Sequence, residues 1–209
     1  MREFIATLAM RRRPGVAAVQ SPLAGPMDWR FAGPGTVEDR DNTCANSRTA
    51  GIRATIMSIQ VGHVAPDFTT EAHVGRQISL AEFRGRKVVV LYFYPKDEST
   101  VCTKEACSFR DAYEDFVQAG AVVIGVSSDS VESHQAFASG HRLPFILLAD
   151  TDGSLRGTYG VPRSLGILPG RVTYVIDKQG VVRHIFSSQL SADRHVAEAL
   201  SMVRQLAQS

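Results

Sequence analysis

Lys87-Val-Val-Val-Leu-Tyr-Phe-Tyr94 is a lysine followed by seven β-branched, aliphatic and aromatic residues without a polar interruption. A run with no polar face predicts a strand buried on both sides, and such a strand needs packed layers above and below its sheet. Residues 121–126, 145–148 and 172–176 are three more runs of this kind. Between them the pattern turns helical. In residues 103–120 the apolar side chains Phe109, Ala112, Tyr113, Phe116 and Val117 recur at i, i+3, i+4, i+7 and i+8, with Gly120 placed to stop the helix. Ser130 is positioned to cap a second helix reaching about Gly140, and Ser191 a third in which Val196, Ala199, Leu200 and Val203 share a face. Asp177-Lys-Gln-Gly180 reads as the turn of an antiparallel hairpin joining 172–176 to 181–186. Strands alternating with helices and closing on a hairpin predict an α/β sandwich with a mixed central sheet flanked by helices.

None of this periodicity extends before Met57. Residues 1–56 hold four of the nine prolines, eight arginines and five acidic residues, and read as a disordered N-terminal extension ahead of a folded domain at 57–209. The extension carries the excess positive charge, so the domain, with fifteen basic and sixteen acidic side chains, is close to neutral. That balance lacks the basic footprint of a nucleic-acid binder, and no apolar stretch approaches the length that spans a membrane. The apolar run Phe4 to Met10 precedes Arg11-Arg-Arg13, the reverse of a secretory signal. A cytoplasmic location is expected, with organelle targeting by the extension left open and translation from Met57 an alternative.

Three cysteines, Cys44, Cys102 and Cys107, are too few for a disulfide framework. Cys102 falls where the buried strand has ended and a helix begins, so unpaired N–H groups and the positive end of a helix dipole are expected to face its sulfur. Such placement lowers a thiol pKa from about 8.5 and favours the reactive thiolate. A buried cysteine acting as a small hydrophobe is the competing reading of position alone. Cys107 follows five residues later. On an intact helix that spacing sets the two Cα atoms about 8.6 Å apart, beyond the roughly 7 Å limit for a disulfide. A reaction joining them therefore has to unwind the first turn. Five is too long for a Cys-x-x-Cys redox motif, and no histidine has a zinc-ligand spacing, so each of the six reads as a surface or packing residue and no metal or cofactor is expected.

The segment Tyr92-Phe-Tyr-Pro95-Lys-Asp-Glu-Ser99-Thr-Val-Cys102-Thr-Lys-Glu105-Ala-Cys107 closely resembles the active-site segment of the peroxiredoxin Q family, also called bacterioferritin comigratory proteins. The resemblance runs from Val61-Gly-His-Val-Ala-Pro-Asp-Phe68 to the last helix and includes Leu168-Pro-Gly-Arg-Val-Thr-Tyr-Val-Ile-Asp177. It implies a thioredoxin-like fold and thiol peroxidase activity. It implies Cys102 as the peroxidatic cysteine and Cys107 as the resolving one. Ser99 would set a hydroxyl against the thiolate and peroxide, Pro95 would shield the site, Arg171 would stabilise the thiolate and bind peroxide oxygens, and Glu105 would hold that arginine. The implied partners are a peroxide, hydrogen peroxide or an organic hydroperoxide, and thioredoxin or a similar dithiol, acting on a monomer. One departure stands in the motif: Thr100-Val101 occupies the place where the family commonly has Pro-Gly, two stiff β-branched residues in a segment that must unwind. A general thiol-disulfide exchanger and a redox-sensing or client-binding module are the alternatives. Asp150-Thr-Asp-Gly153 lacks the remaining ligands of a calcium loop and reads as a turn and helix cap.

Overall fold

The computed structural model describes residues 59–164 and 168–208. Cys44, Met57 and the expected N-terminal extension lie outside the described residues. In chain order the elements are β1 (Thr69–Ala72), β2 (Arg76–Ser79), a 3-10 turn (Leu80–Phe83), β3 (Val88–Phe93), α1 (Thr100–Asp111), α2 (Tyr113–Gln118) and β4 (Ala121–Ser127). They continue with α3 (Val131–His141), β5 (Ile146–Ala149), α4 (Ser154–Thr158), β6 (Arg163–Ser164), β7 (Leu168–Pro169), β8 (Val172–Ile176), β9 (Val182–Ser187) and α5 (Ala192–Gln208). Seven strands form one sheet in the order β2-β1-β5-β4-β3-β8-β9, and β6 pairs with β7 separately. The sheet is mixed: β3, β4 and β5 run parallel, while β8 is antiparallel to β3 and β1 to β5.

β3 occupies the position its composition demands. Alternation sends Val89, Leu91 and Phe93 into one core and Val88, Val90, Tyr92 and Tyr94 into the other. Because β3, β4 and β5 succeed one another in one direction, right-handed crossovers bring α1, α2 and α3 to the same face. There Phe109, Phe116 and Phe137 meet Val196, Ala199 and Val203 of α5. Leu80, Phe83, Leu155 and Tyr159 belong to the core on the other face.

The expected strands and the β8–β9 hairpin are present, with Asp177 Oδ1 accepting from the N–H groups of Gln179 and Val181 in the turn. Ser130 caps α3 by accepting from the Ser133 N–H. The single helix expected over 103–120 is two: the chain breaks at Ala112 (φ −95°, ψ 5°), and α1 begins earlier, at Thr100. Phe109 and Phe116 remain in one core across the break, so the apolar period carries no trace of it. Gly120, at φ 79°, follows the end of α2 as expected.

Gly125 in β4 is imposed by close approach. A Cβ there would sit 2.7 Å from the Tyr92 ring and 2.8 Å from Leu147 Cδ2, and the Tyr92 hydroxyl is itself buried without a hydrogen-bond partner among the described residues. Gly125→Ala should cost about 1–3 kcal/mol by overpacking, measured by denaturant unfolding, and the cost should shrink in a Tyr92→Phe background, which removes the hydroxyl oxygen, one of the three clashing atoms.

Candidate active site

β3 and β8 are neighbours, and their adjoining ends bring together segments that are about 70 residues apart in sequence. β3 ends at Phe93 and is followed by a turn carrying Pro95 and Ser99. α1 then begins, with Cys102 as its third residue. Arg171 stands immediately before β8. Its Nη2 donates to Cys102 Sγ at 3.1 Å and its Nη1 donates to a Glu105 carboxyl oxygen in a buried ion pair. Cys102, Glu105 and Arg171 are each no more than 2 % exposed, so water screens none of these contacts.

Glu105 lies three residues after Cys102 and faces the same side of α1. Burial pushes its carboxyl up to about 8, against the opposing pull of the Arg171 guanidinium. Glu105 Oε1 and Arg171 Nε have no hydrogen-bond partner among the described residues. Oε1 lies 3.7 Å from His195 Nδ1. That ring is fully buried; Nδ1 is 2.7 Å from Thr173 Oγ1, and Nε2 donates to the Ser188 carbonyl at 2.8 Å. Burial lowers the His195 pKa to about 4, with the Arg171 charge acting in the same direction, so the ring is neutral near pH 7.

A second arginine frames the site. Arg156 Nη2 donates to the Tyr94 carbonyl (2.7 Å) and Nη1 to the Gly170 carbonyl (2.8 Å), tying the end of β3 to the residue before Arg171. It is placed by Asp150, whose two carboxyl oxygens accept from the N–H groups of Leu155 and Arg156 at the start of α4. The segment 150–153 is thus the turn and helix start expected of it, with Gly153 at the N-cap position and Asp150 accepting from N–H groups of the first turn. Gly170 cannot carry a side chain: a Cβ would come 2.0 Å from the Pro162 carbonyl oxygen. Arg156 was not singled out in the sequence, where nothing marks the residue after a short cap as reaching back 62 positions.

Ser99 sits at the N-cap of α1, but its hydroxyl donates to the Lys96 carbonyl (3.2 Å) and makes no capping bond. The helix closes first with Thr103 N–H on Ser99 O, which leaves the N–H groups of Thr100, Val101 and Cys102 without intrahelical acceptors. Pro95 is half-buried beside this turn. Cys102 and Cys107 are both free and both lie on continuous α1, Cys107 half-exposed. Two histidines expected only as surface or packing residues, His134 and His195, are instead buried in polar networks.

Residues 61–185 match the AhpC/TSA family. Peroxiredoxin Q of Triticum aestivum, named as chloroplastic, is 50% identical over 149 residues, 71% of this chain and 68% of that protein. The chain belongs to the AhpC/TSA family, in its peroxiredoxin Q group. Among solved structures it is similar to peroxidoxin BcpB of Mycobacterium tuberculosis, with a TM-score of 0.66, 35% identity, and coverage of 71% of this chain and 98% of that one. It is also similar to the bacterioferritin comigratory protein of Xanthomonas campestris, whose structures concern alkyl peroxide reduction. There the TM-score is 0.61 with 28% identity, over 67% of this chain and 92% of that one. The mixed sheet flanked by helices is the thioredoxin-like fold of these peroxiredoxins, and the chain is a thiol peroxidase. Among the described residues no helix is long and apolar enough to cross a membrane.

Two opposed pH dependences follow. His195 is a base with a depressed pKa, so the unfolded chain takes up its proton first. The stability advantage of the wild type over His195→Gln should therefore shrink as the pH falls from about 6.5 towards about 4. Glu105 is an acid with a raised pKa, and its advantage over Glu105→Gln should shrink as the pH rises from about 4.5 through about 8. Guanidinium unfolding of the three proteins at pH 4.5, 6 and 8 checks both.

Proposed function

We propose that Cys102 is the peroxidatic cysteine, Cys107 the resolving one, and Arg171 the group that stabilises both the thiolate and the departing oxygen. The observation that carries this reading is the buried guanidinium of Arg171, 3.1 Å from Cys102 Sγ and held from behind by Glu105. A planar cation with several donors in one plane can hold the sulfur with one N–H and meet a peroxide oxygen with another. Its unpartnered Nε–H and the three unclosed N–H groups at the start of α1 are donors of the required kind. Ser99 acts here only after its hydroxyl leaves Lys96 O and turns towards the peroxide; Pro95 limits water at the turn.

The Cys102 thiolate attacks the terminal oxygen of R–O–O–H. The O–O bond breaks, sulfur is oxidised to the sulfenic acid, and the alkoxide or hydroxide leaves with a proton from solvent as R–OH or water. The Cys107 thiol then displaces the sulfenic hydroxyl as water, forming a disulfide within one chain. α1 has to open for this. The residues between the cysteines include Lys104, paired with Asp193 of α5 at 2.7 Å, and Glu105, paired with Arg171. The exposed Lys104 pair adds little resistance, whereas withdrawing Glu105 leaves the Arg171 charge buried without its carboxyl partner.

A dithiol of the thioredoxin type, the donor implied by the family resemblance, reduces the disulfide by exchange. Organic hydroperoxides as well as hydrogen peroxide are substrates in this reading, supported by the alkyl peroxide reduction of the Xanthomonas relative. The chain acts as a monomer whose residues 57–209 form the catalytic domain, and the cytoplasm is its place of action. Relatives named chloroplastic make imaging of the tagged full-length chain the check on that location.

Cys102→Ser should abolish peroxide consumption in a thioredoxin-coupled assay; retained turnover would overturn the assignment. Cys107→Ser should form one sulfenic acid per chain, detected by dimedone labelling, and then stall with thioredoxin. Arg171→Lys keeps the charge but loses the planar fork, and should lower the second-order rate with peroxide about 10²-fold.

A further inference from the structure

The turn that leads into Cys102 is gripped from outside the site by α3. Asp97, 4 % exposed, accepts from Tyr94 Oη at 2.7 Å and from Ser133 Oγ at 2.8 Å, and its Oδ2 lies 2.8 Å from His134 Nδ1. His134 is fully buried, and its Nε2 lies 3.1 Å from the Leu148 carbonyl oxygen. A carbonyl only accepts, so Nε2 carries a proton. Burial alone would raise the Asp97 pKa, but the bonds from His134, Tyr94 and Ser133 outweigh it and hold the carboxyl below its ordinary value. The 2.8 Å contact between Nδ1 and Oδ2 is a hydrogen bond buried from water, and breaking it leaves both groups unpaired. The Asp97 N–H is also tied, donating at 2.8 Å to Asp129 Oδ2, which Ser127 Oγ holds at 2.6 Å.

A second grip lies seven residues along the same face of α3. Glu98 adopts φ 56°, a left-handed conformation that non-glycine residues rarely take, and its carboxylate meets His141 Nε2 at 3.1 Å. The His141 carbonyl accepts from Arg110 Nη1 at 2.9 Å, and Arg110 lies on α1 one turn beyond Cys107. Five side chains, Ser133, His134 and His141 of α3 with Tyr94 just after β3 and Asp129 just before α3, thus fix two consecutive turn residues that touch neither Cys102 nor Arg171 in the hydrogen bonds described. Unwinding the first turn of α1 requires the segment before it to move, and Asp97 is only five residues from Cys102.

We propose that the Asp97–His134 pair, supported by Glu98–His141, is the latch that sets how long the Cys102 sulfenic acid persists before α1 unwinds. These are positioning residues, and the inference rests on the roles proposed above for Cys102 and Cys107. The sulfenic acid has two fates. Cys107 condenses with it, releasing water and forming the disulfide. Alternatively a second peroxide molecule oxidises it to the sulfinic acid and is itself reduced to an alcohol or water. A tight latch keeps the site assembled for peroxide and prolongs exposure to the second fate; a loose one favours the disulfide.

The test compares the full-length wild type with Asp97→Asn, His134→Gln and the double variant. Each is mixed with one equivalent of hydrogen peroxide and quenched over time with an alkylating agent for mass spectrometry. Asp97→Asn should speed conversion of sulfenic acid to disulfide about tenfold, lower the sulfinic fraction at excess peroxide, and slow the first oxidation. The double variant should match a single one, because either change releases the same latch. A general loss of stability would lower the melting temperature without the opposed changes in the two oxidation rates. Glu98→Gln, on the surface and safe for folding, should shift the same ratio in the same direction by about two- to threefold. Unchanged disulfide rates and sulfinic fractions in Asp97→Asn and Glu98→Gln would overturn the latch, while a wild type that still forms the sulfenic acid and disulfide keeps the roles of Cys102 and Cys107. A wild type that forms neither would overturn both.

Discussion

One guanidinium organises this molecule. Arg171 offers one nitrogen to the Cys102 sulfur and another to Glu105 in a site closed to water, so a single cation faces two groups that can each carry negative charge. It cannot neutralise both fully. Burial resolves the competition by raising the Glu105 carboxyl to about 8, which leaves more of the positive charge to the sulfur. In the proposed mechanism the same residue that orients the arginine thus competes little with the sulfur for its charge. Around this core the protein supplies geometry: Arg156 locks the Gly170 carbonyl to the end of β3, and the absence of a side chain at Gly170 lets the preceding loop close against it.

The fold makes that convergence possible because β3 and β8 lie side by side and antiparallel. The end of one and the beginning of the other share an edge of the sheet, so a cysteine after β3 and an arginine before β8 meet by topology alone. Burying β3 on both faces makes the platform rigid, with Tyr92 stacked on Phe109 of α1 at 4.6 Å between ring centroids. The aromatic contact lies on the part of α1 beyond both cysteines. The first turns of the helix can therefore open while its distal half stays anchored.

The strands, the β8–β9 hairpin and the cap at Ser130 were legible in the sequence because each depends on local chemistry: apolar runs, an Asp-to-Gly turn, a serine before a helix. Cys102, Glu105 and Arg171 were legible through a family resemblance, and the structure brings the three together. What local chemistry does not record was missed. The break at Ala112 leaves the apolar period intact on either side. The partners of Arg156 are carbonyl groups, and a carbonyl belongs to every residue. His134 and Asp97 are 37 positions apart, and neither carries a spacing that announces the other. Ser99 shows the converse case: the motif places a hydroxyl at the site, while the wound, reduced state turns it to Lys96 O.

With the roles proposed for Cys102 and Cys107, catalysis needs two incompatible shapes of one helix. The peroxide reaction requires α1 wound, since the unclosed N–H groups and the Arg171 contact exist only then; the disulfide requires it unwound, since five helical residues hold the sulfurs too far apart. Stabilising the first shape slows passage to the second by the same free energy, so no single interaction can favour both steps. A division of labour follows from where the contacts lie. Arg171–Glu105 acts on the reacting sulfur itself and cannot be weakened without loss of the first reaction. The α3 contacts to Asp97 and Glu98 act on the turn before the helix and touch no reacting atom, so their strength is free to vary. Thr100-Val101 acts on the other side of the balance, because two β-branched residues in the first turn disfavour the helix slightly relative to straight-chain ones. In the latch proposal the turn and α3 set the balance between the two shapes, and through it the rates of both steps at Cys102, without contact with a reacting atom.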